Sequence, residues 1–218
     1  MRNPVLLLTG RSASNESIQT EMRELEALGA VVRYYAVDVA DAAALTQLVQ
    51  SIPEEFESLD GIIHSAGVLR DSFLSKKTRA ELREVLQAKV AGTLNLDAAS
   101  RGMALDCFIC FSSMAGAVGN VGQADYAAAN AFMDAFAHYR SELVAQGLRH
   151  GRSLSVNWPL WEAGGMRVDA ATRASMVQQL GMHPLSSDEG VLALRQAMAT
   201  RACFSDACNE LSLFACTF

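Results

Sequence analysis

No stretch of this 218-residue sequence approaches the roughly 20 consecutive apolar residues that a membrane-crossing helix needs. The opening MRNPVLLLTG carries one basic residue and an apolar run too short for a secretory signal. There is no lysine–arginine run, and a formal net charge of -6 argues against a nucleic-acid surface. Cysteines are few and odd in number, Cys107, Cys110, Cys203, Cys208 and Cys216, with no paired-finger spacing. The four histidines are scattered, so no metal site is expected. These absences leave a soluble, cytoplasmic protein with reduced thiols as the expectation, contacting neither membrane nor nucleic acid.

Half of the residues are hydrophobic and 19% are charged, the balance of a globular chain rather than a disordered one. The length suits one domain with a substantial core. Cys107 and Cys110 form a CxxC, but DCFICF reads as a strand. Residues three apart on a strand face opposite sides, so burial is the expected role of both.

Apolar runs of strand length alternate with helical periodicity. Val5–Leu8 is a short buried-strand run, and Ile18, Met22, Leu25 and Leu28 recur at helical spacing before a stop at Gly29. Val31–Val37 is a second strand, followed by a shorter helix over about Asp41–Val49. Ile62–Ile63 begins a third strand. Thr78 with Glu81 forms a capping box that opens a long helix through Leu82, Leu86, Val90 and Leu94. Cys107–Phe111 is a fourth strand, leading through a glycine-dotted loop (MAGAVGNVGQ) to a helix over about Ala124–Gln146. Ser153–Asn157 is a fifth. Asp169–Leu180 reads as a detached amphipathic helix, and Ser186 with Glu189 caps a last helix ending near Thr200. The alternation predicts an α/β fold, a Rossmann-like doubly wound parallel sheet with helices on both faces. Residues 1–200 are expected to form this domain, and 201–218 an irregular tail or last strand.

Ligands of such sheets bind beyond the carboxyl ends of the strands. Arg11, Asp38, His64 to Gly67, Ser112–Ser113 and Trp158–Pro159 should therefore converge. Tyr126 and Asn130, four apart in DYAAANAF, share a helix face with only alanines between them. Taken singly, each candidate has an ordinary reading: a packed Tyr/Asn pair, a serine at a turn, a solvated helix lysine at Lys89, a surface arginine at Arg11.

Taken together they resemble a family. FSSMAGAVGNVGQADYAAANAF is similar to the ketoreductase domains of modular polyketide synthases, a branch of the short-chain dehydrogenase/reductase superfamily. DVAD, IHSAG, KVAGTLNLD and NWPLW fall in the family's expected places. The discriminating feature is the order Lys89, Ser113, Tyr126, Asn130, with lysine on the earlier helix and asparagine after tyrosine. The resemblance implies NADPH-dependent reduction of a β-ketoacyl thioester on an acyl carrier protein, beside other polyketide synthase domains. It gives catalytic roles to Lys89, Ser113, Tyr126 and Asn130. Tyr126 would donate its phenolic proton to the ketone oxygen, aided by a Lys89 ammonium that lowers the phenol pKa from ~10. Ser113 would hydrogen-bond that oxygen, and Asn130 would position Lys89 or a relay water. Cofactor contacts are implied for Arg11 (at the 2′-phosphate), Ser12, Asp38, Val39, Ser65, Ala66, Gly67, Lys89, Tyr126 and Pro159. Asp38 could equally serve as a local cap. Asp71 and Gln123 fall where substrate handedness is set. Leu69-Arg70-Asp71 keeps the last aspartate of a Leu-Asp-Asp fingerprint, and Val118 stands where the opposite type carries tryptophan. A B-type, D-configured hydroxyl is the expectation.

One family feature is missing. The glycine loop that holds the pyrophosphate is absent, and Thr9-Gly10-Arg11-Ser12 does not replace it. VLLLTGRS corresponds to the family's second strand, so the sheet is expected to lack a central strand. Three explanations follow: the unit lies on another segment or chain, the first strand has shifted into the vacancy, or the domain is a degenerate, non-catalytic module. A free short-chain reductase of a small ketone is a further alternative, which the Lys/Asn order disfavours.

Overall fold

The computed structural model describes residues 4–163, 178 and 183–199. Its strands fall into two parallel sheets. β1 (Val5–Gly10) pairs with β2 (Val31–Ala36), Val5 opposite Val31 and Gly10 opposite Ala36. β3 (Gly61–His64), β4 (Cys107–Ser113) and β5 (Arg152–Trp158) form the second sheet in that order. Among the described residues no ladder joins the two sheets. The sheet is thus interrupted where a central strand was expected to be missing, and β1 has not moved over to pair with β3.

The helices begin where capping chemistry places them. Asn15 caps α1 (Glu16–Ala27) by accepting from the Ile18 amide, and Gly29 follows at φ +94, a conformation that favours glycine. Asp41 caps α2. This helix runs over Ala42–Phe56, past the expected end at Val49 and through Pro53, because Ile52 gains burial by continuing it. The Thr78–Glu81 capping box is formed in both directions. The long helix it opens is three pieces: α3 (Arg79–Leu86), a π-helical turn over Gln87–Ala91 and α4 (Gly92–Ala99). The segment read as a loop after β4 contains one helical turn, α5 (Met114–Val118), capped by Ser113. α6 spans Ala124–Ala145, and α7 (Ser187–Ala199) starts at a second capping box between Ser186 and Glu189. The segment Asp169–Leu180, apart from residue 178, and the tail 201–218 lie outside the described residues.

Alternation along β4 feeds two cores. Phe108 and Cys110 pack with Leu45 and Val49 of α2, Leu96 of α4 and Met133 and Phe136 of α6. Ile109 and Phe111 point the other way, into Leu154, Val156 and Trp158 of β5 and Ala193 and Ala197 of α7. Helices therefore cover both faces of this sheet. Cys110 is buried in one core while Cys107 packs against the other, so the CxxC pair is split across the sheet.

A buried charge cluster ties α4 to α6 and to the chain entering β5. Asp97 accepts from Arg140 Nε at 2.9 Å and from Arg149 Nη2 at 2.7 Å. Arg140 also donates to Ser153 Oγ and the His150 carbonyl, so each buried guanidinium nitrogen is used. No helix among the described residues is long and apolar enough to cross a membrane.

Candidate active site

The site grows from three local departures from regular structure at the carboxyl ends of β3, β4 and β5. The first is the π turn. Gly92 N–H donates to Gln87 O, one residue farther back than in an α-helix, and the Thr93 hydroxyl donates to the Lys89 carbonyl at 2.5 Å. The extra residue re-aims Lys89 inward, a common use of such turns. Its ammonium is buried and donates to the Phe111 carbonyl at 2.9 Å. Burial lowers the Lys89 pKa to about 8, with Asp134 opposing part of that fall.

The second departure is the end of β4. Ser113 leaves the strand to cap α5, and Ser112 Oγ donates to the Asn130 carbonyl at 3.2 Å. α5 and α6 approach so closely that a Cβ at Gly116 would stand 2.9 Å from Asn130 Cβ and from the Ala131 amide nitrogen. The alanines beside Tyr126 and the glycine opposite serve this contact.

The third is the start of α6. Tyr126 is buried, with Asn130 fully buried a turn later and donating its amide to the Tyr126 carbonyl at 2.8 Å. Burial raises the Tyr126 phenol pKa, hydrogen bonding with the Asn130 and Ser113 side chains pulls it back, and Asp71 adds to the rise. A phenol pKa below its ordinary value was expected beside Lys89; burial instead carries it above. The ammonium lies over the face of the ring, 5.5 Å from its centroid, and desolvation dominates.

Ser65, Gly67, Lys89, Ser113 and Tyr126 line one pocket, together with Val68, Leu69, Phe111, Ser112 and Trp158. Asn130 lies directly behind Tyr126. Pro159 follows Trp158 at the end of β5, and Ala66 lies between two lining residues. Asp71 accepts from Gln123 Nε2 at 2.8 Å, joining the two handedness candidates at the start of α6. Val39 packs where a Cβ on Gly92 would meet it, 2.9 Å away. Arg11 and Ser12 are exposed at the end of β1, in the other sheet, where Tyr34 donates to the Ser12 carbonyl. Asp38 Oδ1 accepts from the Ala40 amide, the local turn role that was its alternative.

Several participants escape sequence reasoning. The Phe111 carbonyl gives no side-chain signal, and Trp158 was visible only as a strand end. Asp134 follows Tyr126 and Asn130 at the same helical spacing. It accepts from Ser155 at 2.5 Å, and its pKa is raised by burial against hydrogen bonds from Ser155, Ser112 and Asn157. That i, i+4, i+8 spacing could have pointed to it. His64 is buried beside the π turn, and burial lowers its pKa to about 4, keeping it neutral.

Comparison with known proteins gives a consistent picture. Residues 3–163 match the family model described as KR domain. Polyketide synthase PksN of Bacillus subtilis is 47% identical over 90% of this chain. Polyketide synthase ThaG of Burkholderia thailandensis is 45% identical over 77% of it. The chain spans only 4% and 3% of those two proteins. Among solved structures, a ketoreductase domain from the bacillaene assembly line superposes with a TM-score of 0.87 at 47% identity, covering 89% of this chain and 47% of that one. A short-chain dehydrogenase from Streptomyces avermitilis shares the fold at 18% identity, with a TM-score of 0.68 over 92% of this chain and 85% of that one.

Proposed function

This chain belongs to the KR domain family, the ketoreductases of polyketide synthases, and we propose that it reduces the β-ketone of an acyl chain held as a thioester on an acyl carrier protein. The observation carrying the proposal is the convergence of Ser113, Tyr126 and Lys89 on one pocket, with Asn130 a turn behind. The family is nicotinamide-dependent, and NADPH is the form proposed here.

The residues present fit the reactive end of that cofactor. Gly67 lets the backbone pass close to Lys89, since a Cβ there would stand 3.2 Å from Lys89 Cε, a tight contact. The pocket offers a phenol, a hydroxyl and an ammonium, donors suited to ribose hydroxyls and a carbonyl oxygen. Ser65 to Gly67, Lys89, Tyr126 and Pro159 would hold the nicotinamide end. Arg11 and Ser12 would meet the 2′-phosphate, and Asp38 and Val39 the adenosine. When bound, the cofactor supplies hydride to the ketone carbon. Tyr126 donates its phenolic proton to the ketone oxygen, and its raised pKa keeps that proton in place at neutral pH. Ser113 hydrogen-bonds the same oxygen as negative charge develops. Lys89 stabilises the resulting phenolate, and Asn130 holds the helix turn that carries Tyr126.

The Asp71–Gln123 hydrogen bond and the exposed Val118 support a D-configured product, B-type in the family's terms. The proposed setting is a cytoplasmic synthase with carrier and other catalytic domains as partners. The split between β1–β2 and β3–β5 supports a separate segment that supplies a central strand and the pyrophosphate loop.

The test is a fluorescence titration with NADPH, then turnover of a β-ketoacyl thioester surrogate. Saturable binding and stoichiometric formation of the β-hydroxyacyl product are expected. A folded chain that binds no NADPH, alone or with the strand-supplying segment added, would identify a degenerate, non-catalytic module instead.

A further inference from the structure

Lys77 and Asp125 form an ion pair at 2.7 Å whose side chains are 2% and 1% exposed. Burying two full charges is expensive, and a pair kept in this way has to be satisfied on every side. Here it is. The Lys77 ammonium also donates to the Arg70 carbonyl, closing the loop from Arg70 to Lys77 on itself. Asp125 Oδ1 accepts from the amide of Tyr126, at 2.9 Å. One ion pair thus joins the residue before Asp71 to the backbone of the proposed proton donor.

Two further hydrogen bonds run parallel to it. Ser72 N–H donates to the Gly122 carbonyl at 2.9 Å, and Gln123 donates to Asp71 at 2.8 Å. The loop that carries Leu69, a lining residue, is therefore pinned at three points to the chain entering α6. Phe73 and Leu74 stay exposed, so this loop is held by polar contacts rather than by a core of its own. By contrast, the neighbouring Arg70–Glu84 pair is 44% exposed on both sides and contributes little.

We propose that Lys77 and Asp125 are a positioning pair: they fix the loop 70–77 against the first turn of α6 and so set where the substrate wall stands relative to the Tyr126 hydroxyl. The proposal rests on the reductase reading for its catalytic consequence. The pinning itself is independent of that reading.

The test compares the full chain with Lys77→Met, Lys77→Met/Asp125→Leu and, as a control, Glu84→Gln. Lys77→Met removes the charge and keeps the stem. The double variant replaces the pair with apolar groups, a change that buried ion pairs often tolerate, and keeps the question answerable if the single variant does not fold. In hydrogen–deuterium exchange, both Lys77 variants are expected to speed exchange by roughly tenfold or more over 68–77 and 119–127, leaving β4 and β5 unchanged. Glu84→Gln should match the native chain. With a thioester surrogate, kcat should fall on the order of 10²-fold with little change in KM, and the product should lose configurational purity. Exchange that is unchanged in 68–77, or raised equally in β4 and β5, would overturn the proposal. So would loosened exchange with native kcat and native product configuration. If the native chain turns over no surrogate, the reductase reading fails while exchange still decides whether the pair pins the loop.

Discussion

The Lys89 ammonium lies over the face of the Tyr126 ring, 5.5 Å from the centroid, while it donates to the Phe111 carbonyl at 2.9 Å. Ring and cation attract through the ring quadrupole, which partly offsets the cost of burying the charge. The phenol pKa is nonetheless raised, because burial is the largest influence on it. Two groups with opposite shifts share one pocket: a lysine whose pKa falls to about 8 and a tyrosine whose pKa rises. Such separation sets out an acid that keeps its proton and a cation that can lose one.

A pH profile follows from this separation. The Tyr126 phenol remains protonated through the range in which Lys89 titrates, so loss of activity on the alkaline side belongs to Lys89. kcat/KM for NADPH-dependent reduction should fall as pH rises through about 8, since that parameter reports groups of the free enzyme. Lys89→Met should be weakly active with no such limb. A first alkaline limb above the ordinary phenol value would instead assign the loss to Tyr126.

Stability should carry the same signature. Folded Lys89 releases its proton at about 8, below the ordinary lysine value of 10.5. Between those values the unfolded chain binds more protons, so the stability linked to Lys89 rises with pH. It is fully present above 10.5 and lost as pH falls through about 8. Urea midpoints should show Lys89→Met gaining most over the native chain near neutral pH, by up to roughly 3 kcal/mol, and the gain shrinking as pH climbs. A gap independent of pH would contradict this.

Gly116→Ala tests the approach of α5 to α6. The added methyl would press on Asn130 and the Ala131 backbone, which cannot swing away as a flexible side chain can. A loss of about 1–3 kcal/mol in urea unfolding is expected, together with reduced turnover as Asn130 and Tyr126 shift. Native stability in this variant would show that the helices separate at no cost.

Asp97→Asn should be more damaging. It leaves Arg140 and Arg149 buried without the carboxylate both depend on. A loss of about 3–5 kcal/mol is expected from chemical denaturation. Since the cluster lies apart from the pocket, any folded fraction should keep its KM.

Local chemistry made much of this fold legible. Thr78 with Glu81, Ser186 with Glu189 and Gly29 mark helix boundaries by hydrogen-bonding groups at fixed offsets, and the structure uses each of them. The run CFICF, apolar on both sides, signals a strand between two layers, and its residues do feed two cores. The extension of α2 through Pro53 was not legible, because it depends on the burial of Ile52 rather than on propensity. The π turn at Lys89 and the helical turn after Ser113 depend on packing partners distant in sequence, His64 with Val39 for one and α6 for the other. At the site, the side chains of Lys89, Ser113, Tyr126 and Asn130 stood out through their order along the chain. Lys77 and Asp125 did not, since a lysine in KKT and an aspartate in ADY carry no sign of each other until the fold brings them together.

Reduction at this site depends on Tyr126 as proton donor, and Tyr126→Phe at saturating NADPH tests that role most directly. The ring, its packing and its contact with Lys89 remain, and only the hydroxyl is lost. NADPH should still bind saturably by fluorescence titration, weakened by no more than the roughly tenfold that one lost hydrogen bond costs, while turnover of a β-ketoacyl thioester surrogate falls by about 10²–10⁴-fold. Turnover within a few-fold of the native chain, with NADPH still bound, would contradict the assignment.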